Sequence, residues 1–215
     1  MKRLVFLAFA ILSAAVLETA AEETSGRQQL PCEIETLLSQ HPFFCQSGRN
    51  YVLNEFVPVI EAWARSYYEQ TNTPLVYLDG SGATPKRLWP HRSHGSGHQL
   101  DIAFPYLKTD GAALARAPFD LGYGSYEPPR LGETVSCAGV ARPFDLGDPK
   151  EDRGWQLDDE RLRAMLRIIL EDPRMKRIFL EPHLTKRLGF EGHPKIGFAG
   201  CSAARHDDHI HVIFE

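Results

Sequence analysis

Apolar positions along the chain switch between two periods. From Leu53 to about Gln70, Phe56, Val59, Ile60, Trp63, Ala64 and Tyr67 recur at three- and four-residue intervals. That spacing predicts an amphipathic helix, with Pro58 near its start, where a missing amide donor costs least. A second stripe, Leu162, Met165, Leu166, Ile169 and Leu170, predicts a helix capped by Asp158 or Asp159 and stopped by Pro173. Elsewhere the runs are short. Leu75 to Leu78 reads as a buried strand entering the turn Asp79-Gly80-Ser81-Gly82; Arg177 to Leu180 reads as a strand, after which Pro182 opens a short helix that Gly189 closes. Leu100, Ile102 and Phe104 alternate with polar or small residues, as do Ile210, Val212 and Phe214, the pattern of half-buried strands. The sum is an α+β fold, a small and mostly antiparallel sheet with helices packed on its apolar face.

The polar face of those last strands carries the candidate chemistry. His209 and His211 stand two residues apart, so both imidazoles leave the same side of their strand, while alternation turns Asp101 away from the core side. His94 and Asp101 flank Gly97. Two such strands side by side gather His94, Asp101 and His211, two nitrogens and one carboxylate oxygen. That set suits one zinc ion with a fourth position open to water, whereas a structural site is more often closed by four ligands. The sheet therefore has helices on one face and a metal site on the other.

The first 21 residues read as a secretory signal: Lys2 and Arg3, an apolar run from Leu4 to Leu17 broken by Ser13, then Thr19-Ala20-Ala21 as a cleavage site. The run is too short for a bilayer span, which takes ~20 apolar residues, and no other stretch approaches that length. Residues 22–215 then form a single exported domain. Removing Lys2, Arg3 and Glu18 from the 24 basic and 28 acidic residues moves the formal charge from -4 to about -5. A mildly acidic chain offers no basic stripe for nucleic acid. Four cysteines in an exported chain argue for two disulfides. Cys32 with Cys45 is favoured as a local staple, contributing on the order of 3 kcal/mol in the chain-entropy model. Cys137 with Cys201 would anchor the middle of the chain beside the strand of His209 and His211.

His94-x-x-Gly97-x-x-x-Asp101, followed far downstream by His209-x-His211, resembles the zinc metallopeptidase group of lysostaphin, the D-Ala-D-Ala carboxypeptidases and hedgehog domains. Closer still is the resemblance to the penicillin-insensitive murein endopeptidases, since His206 stands three residues before His209 and Asp172 to Leu188 is similar to the segment before their last histidines. It covers Tyr77 to Phe104 and Asp172 to the C-terminus. The resemblance implies a periplasmic endopeptidase that cuts peptidoglycan cross-links between D-alanine and meso-diaminopimelate, with the direct diaminopimelate link as a further substrate. A metal-activated water would attack, its pKa lowered from roughly 16 toward about 7. No glutamate stands beside the final histidines, where the carboxypeptidase branch keeps its base. His209 is therefore the candidate base, and His206 the group that orients it or stabilises the oxyanion. Asp207 or Asp208 is placed to fix an imidazole tautomer. Two alternatives stay open: a zinc D-Ala-D-Ala carboxypeptidase, and a non-catalytic zinc or peptidoglycan-binding protein.

Around this centre, the loop from Ser81 to Ser93 is a candidate groove wall. His91 and Arg92 are its candidate substrate-binding residues, with Arg87 or Arg92 suited to the free carboxylates of stem peptides. His98 falls on the face opposite Asp101, and His41, His183 and His193 read as ordinary surface or hydrogen-bonded residues. The middle, Pro105 to Arg153, is rich in Gly and Pro and holds a near-duplication, Ala117 to Gly124 and Arg142 to Pro149. It reads either as two similar turns with Phe119 and Phe144 packed inward or as a long insertion covering the metal site.

Overall fold

The computed structural model describes residues 26–144 and 153–215. The expected leader, Met1 to Ala21, and the second copy of the near-duplication from Asp145 onward lie outside the described residues. In chain order the elements are β1 (Arg27–Gln29), β2 (Glu33–Ile34), β3 (Leu37–Ser39), α1 (Pro42–Gln46), β4 (Tyr51–Leu53), a 3-10 turn (Asn54–Phe56), α2 (Val57–Thr71), β5 (Leu75–Tyr77), β6 (Gln99–Ala103), β7 (Tyr106–Lys108), β8 (Trp155–Leu157), α3 (Asp159–Glu171), β9 (Met175–Phe179), α4 (Pro182–Arg187), β10 (Ile196–Gly197) and β11 (His209–Phe214).

Both long helices form where the apolar stripes fall. Pro58 sits in the first turn of α2, and Asn72 ends the helix in the left-handed region at φ 53°, its N–H bonded to the Tyr68 carbonyl. The Asp158 side chain caps α3 by accepting from the N–H groups of Glu160 and Arg161. Trp63 of α2 donates from Nε1 to Asp172 Oδ2 at the end of α3, 3.2 Å away, which joins the helices at a polar point inside an apolar contact. On the sheet side, Phe214 stacks on Phe56 and Trp63 with centroids 4.4 and 5.3 Å apart.

The fold is α+β, but the main sheet is mixed rather than mostly antiparallel. Its seven strands run β10-β9-β11-β6-β5-β3-β2, with β3 parallel to β5 and β9 parallel to β10. The reason lies in the connections: α2 lies between β3 and β5, and α4 between β9 and β10, and a crossover through a helix returns the chain in the same direction. Two-stranded ribbons, β1 with β4 and β7 with β8, flank it. A second correction concerns burial. All five residues of β6 are buried, so the strand is covered on both faces, not one.

Part of that cover is the middle insertion. The disulfides are Cys32–Cys45 and Cys137–Cys201, and the second ties the insertion to the loop before β11. Arg142 reinforces this tie, pairing with Glu181 at 2.7 Å and donating to the Ala203 and Ala204 carbonyls. Phe119 and Phe144 do not pack inward; they are 46% and 57% exposed. The turns are held instead through main-chain oxygens, Phe119 O accepting from Gln40 Nε2 and Phe144 O from the Tyr126 hydroxyl, each at 2.9 Å. Among the described residues no helix is long and apolar enough to cross a membrane.

Candidate metal centre

Strands β6 and β11 lie side by side and antiparallel, with Asp101 directly opposite His211. Period-two alternation therefore puts both side chains on one face of the sheet. Asp101 is also fixed through its backbone, its N–H bonded to Asp79 O and its carbonyl to Leu78 N–H, both at 2.8 Å. His94 reaches the same place from the preceding loop. Buried Arg27 holds that loop by donating to the carbonyls of Gly82, Thr84 and Gly95. The turn at Gly97 has φ +86°, and a Cβ there would press on Leu53 at 3.1 Å.

His91, His94 and Asp101 each bring one ligand atom within 4.8 Å of the others, a group that can hold a metal ion. His211 enters the same space more closely. His94 Nε2 lies 3.0 Å from His211 Nδ1 and 3.2 Å from Asp101 Oδ1, and His211 Nδ1 lies 2.7 Å from Asp101 Oδ1. Donors bound to one tetrahedral ion at about 2.0 Å stand about 3.3 Å apart, so this triangle needs only slight widening. The donor chemistry fits as well. His94 Nδ1 donates to the Gly80 carbonyl at 2.5 Å, which leaves Nε2 with its lone pair turned inward. Asp101 offers only lone pairs, and a cation placed among the three atoms would satisfy its lone pair and those of both rings at once.

The charge state follows from burial and neighbours. Burial resists ionisation of Asp101, but the His94 and His209 rings and the His211 hydrogen bond overcome it and hold the carboxyl well below its usual range. His94 is also buried, yet the Asp101 carboxylate raises its proton affinity. Burial lowers that of His211, against the pull of Asp101.

His206 and His209 stand beside the triangle. Their rings are 5.0 Å apart, and His206 lies 5.9 Å from His211. His209 Nδ1 bonds Asp208, and its Nε2 is 3.9 Å from Asp101 Oδ2. Despite burial, the Asp208 and Asp101 charges push its pKa up to about 9. His206 goes the other way: burial, then His209 and His211, press it well below the ordinary value. Its Nδ1 is buried with no hydrogen-bond partner among the described residues. Of the two candidate acids, Asp208 fixes the imidazole, while Asp207 pairs with Arg205 and is raised by burial to about 7.

The groove wall is divided. His91 Nε2 bonds Asp79 Oδ2 at 2.8 Å, and its Nδ1 is 3.9 Å from Asp101 Oδ2, so the ring belongs to the centre itself. Arg92 is exposed and has no hydrogen-bond or ion-pair partner among the described residues. His98 packs its ring 5.5 Å from Phe56, on the other face. His41 caps α1, His193 accepts from Lys195 N–H, and buried His183 bonds the Glu127 carbonyl.

Sequence reasoning missed Asp79 and Tyr123. Asp79 was legible only as a turn residue, yet it is buried and bonded to Arg49 Nε at 2.6 Å as well as to His91. Burial opposes its ionisation, and the His91 and Arg49 hydrogen bonds reverse that, lowering its pKa. Tyr123 lies in the first copy of the near-duplication, and its hydroxyl is 2.8 Å from Asp101 Oδ2. Burial, with the Asp101 and Asp79 charges, keeps that phenol protonated far above its ordinary range. No protein-family model matches the chain, and no curated protein matches it.

Proposed function

We propose that this chain is a zinc endopeptidase of the periplasm that hydrolyses peptide cross-links of peptidoglycan, between D-alanine and meso-diaminopimelate and also at the direct diaminopimelate link. The observation that carries the reading is the convergence of His94 Nε2, Asp101 Oδ1 and His211 Nδ1, with His206 and His209 beside them. The murein endopeptidase resemblance of these same residues names the substrate. Two disulfides fit an oxidising compartment, as the leader-like first 21 residues do. We read the Val212 and Phe214 face of the sheet as the helix-covered one and the His211 face, covered in part by the insertion, as the one that receives substrate.

His94, Asp101 and His211 would hold the zinc, which supplies a Lewis acid for the scissile carbonyl and a water acidified to about pKa 7. The chain itself handles the protons. Asp208 holds His209 Nδ1 and leaves Nε2 to exchange a proton with the water and the leaving nitrogen. His206, held neutral, donates to the developing oxyanion. Two neighbouring rings with proton affinities pushed apart is the arrangement that yields one acid and one base. Arg92, exposed beside His91, takes a stem-peptide carboxylate.

Purified protein incubated with cross-linked muropeptide dimers, untreated, chelated and zinc-restored, tests the reading by product mass. Zinc-dependent conversion of dimers to monomers is expected. Loss of one terminal alanine without monomers would make it a carboxypeptidase, and bound zinc without product a binding protein.

A further inference from the structure

The metal reading leaves unexplained why the insertion sends a tyrosine to the ligand carboxylate. Its segment is docked upstream by Gln40, whose Oε1 accepts from Ala117 N–H at 2.9 Å and whose Nε2 donates to the Ala117 carbonyl at 3.0 Å. Gly122, at φ +79°, lies against Leu78 and Gln40 so closely that a Cβ would collide with Leu78. Downstream, the Tyr106 hydroxyl donates to Ser125 O at 2.6 Å. Between these anchors the Tyr123 hydroxyl stands 2.8 Å from Asp101 Oδ2 and 3.1 Å from Asp79 Oδ2. Of the two contacts the shorter is to Asp101, so the single phenolic proton is assigned there, while Asp79 Oδ2 bonds His91 Nε2. The next residue, Gly124, donates its N–H to Asp208 Oδ2, the carboxylate that holds His209.

One short segment thus grips two carboxylates of the centre, Asp101 and Asp208. Asp101 Oδ1 faces His94 and His211 while Oδ2 is engaged from the other side. We propose that Tyr123 is a positioning residue: its hydroxyl holds Asp101 to ligation through Oδ1 alone and so keeps one coordination position open. Without that hydroxyl, Oδ2 is free to turn onto the ion and fill the place that water or substrate needs. The inference rests on the assignment of His94, Asp101 and His211 as ligands.

Full-length Tyr123→Phe and Tyr106→Phe variants separate positioning from anchoring, since the second loosens the same segment without touching Asp101. Each is titrated with cobalt(II), read by its visible absorption, and with zinc against a chelator. Tyr123→Phe is expected to lower zinc affinity about 10-fold and to weaken the cobalt band, as coordination number rises; kcat on muropeptides falls about 10-fold or more with KM steady. Tyr106→Phe should leave the cobalt band unchanged. A Tyr123→Phe band and affinity equal to wild type overturn the inference, and so does an equal change in both variants. Wild-type protein that binds neither ion overturns the ligand assignment beneath it.

Discussion

Strand β11 has two faces buried to nearly the same extent and held by opposite physics. Ile210, Val212 and Phe214 are 0 to 2% exposed, His209 and His211 4 to 5%. On the first face, burial of aliphatic and aromatic surface against Phe56 and Trp63 contributes stability at roughly 25 cal/mol per Å². On the second, Asp101, Asp79 and Asp208 are taken out of water among five histidines, which costs stability wherever pairing is incomplete. A buried face of this kind is the pattern of functional sites rather than of a core. Substitutions on the two faces should therefore fail differently.

The largest separation is expected from Asp101→Asn. Zinc-dependent muropeptide cleavage should fall by at least about 10³-fold, several kcal/mol of transition-state stabilisation, while metal-free thermal unfolding stays within a few degrees of wild type. A strongly destabilised variant would assign Asp101 to the core. Phe214→Ala should do the reverse. Denaturant unfolding is expected to show a loss of about 3 to 5 kcal/mol, with zinc affinity of the remaining folded protein near wild type. Next, Asp208→Asn should cut turnover by about 10 to 100-fold without releasing zinc, because His209 loses the partner that orients its ring. An unchanged rate would remove His209 from proton transfer.

The smallest effect sharpens the contrast at a distance from both faces. The Arg187 hydrogen bond lowers the Glu133 pKa from its ordinary 4.5 to about 2, against a smaller opposing effect of burial. A carboxylate depressed in the folded state adds stability above its unfolded pKa and loses it as pH falls through the folded value. Acid unfolding of Glu133→Gln should therefore differ from wild type by about 1 kcal/mol or less above pH 4.5 and converge with it below about pH 2. A constant difference across that window would exclude the titration.

Legibility in the sequence followed the length of the repeating pattern. The helices around Trp63 and Leu166 and the alternation in β11 extend over enough positions to show their period, and the relation of Asp101 to His211 follows from alternation once two strands are paired. Strands β1, β2 and β10 hold two or three residues, too few for a period, and were not legible. The parallel pairings were hidden because periodicity reports which face is buried, not which way a neighbour runs. Asp79 and Tyr123 sit in turns, where side-chain direction is set by the main-chain path and by tertiary contacts such as Gln40 with Ala117. The disulfide partners were favoured for loop length in one case and for use in the other, and both pairs formed.

The question beneath all of these is which atoms would hold a metal ion, since His91 and His211 both approach His94 and Asp101. Crystals of the zinc-loaded protein, measured across the zinc absorption edge, answer it by anomalous difference density. A single peak about 2.0 to 2.2 Å from His94 Nε2, Asp101 Oδ1 and His211 Nδ1 is the expected result. A peak bound by His91 and Asp79 without His211, or no peak at this centre, would contradict it.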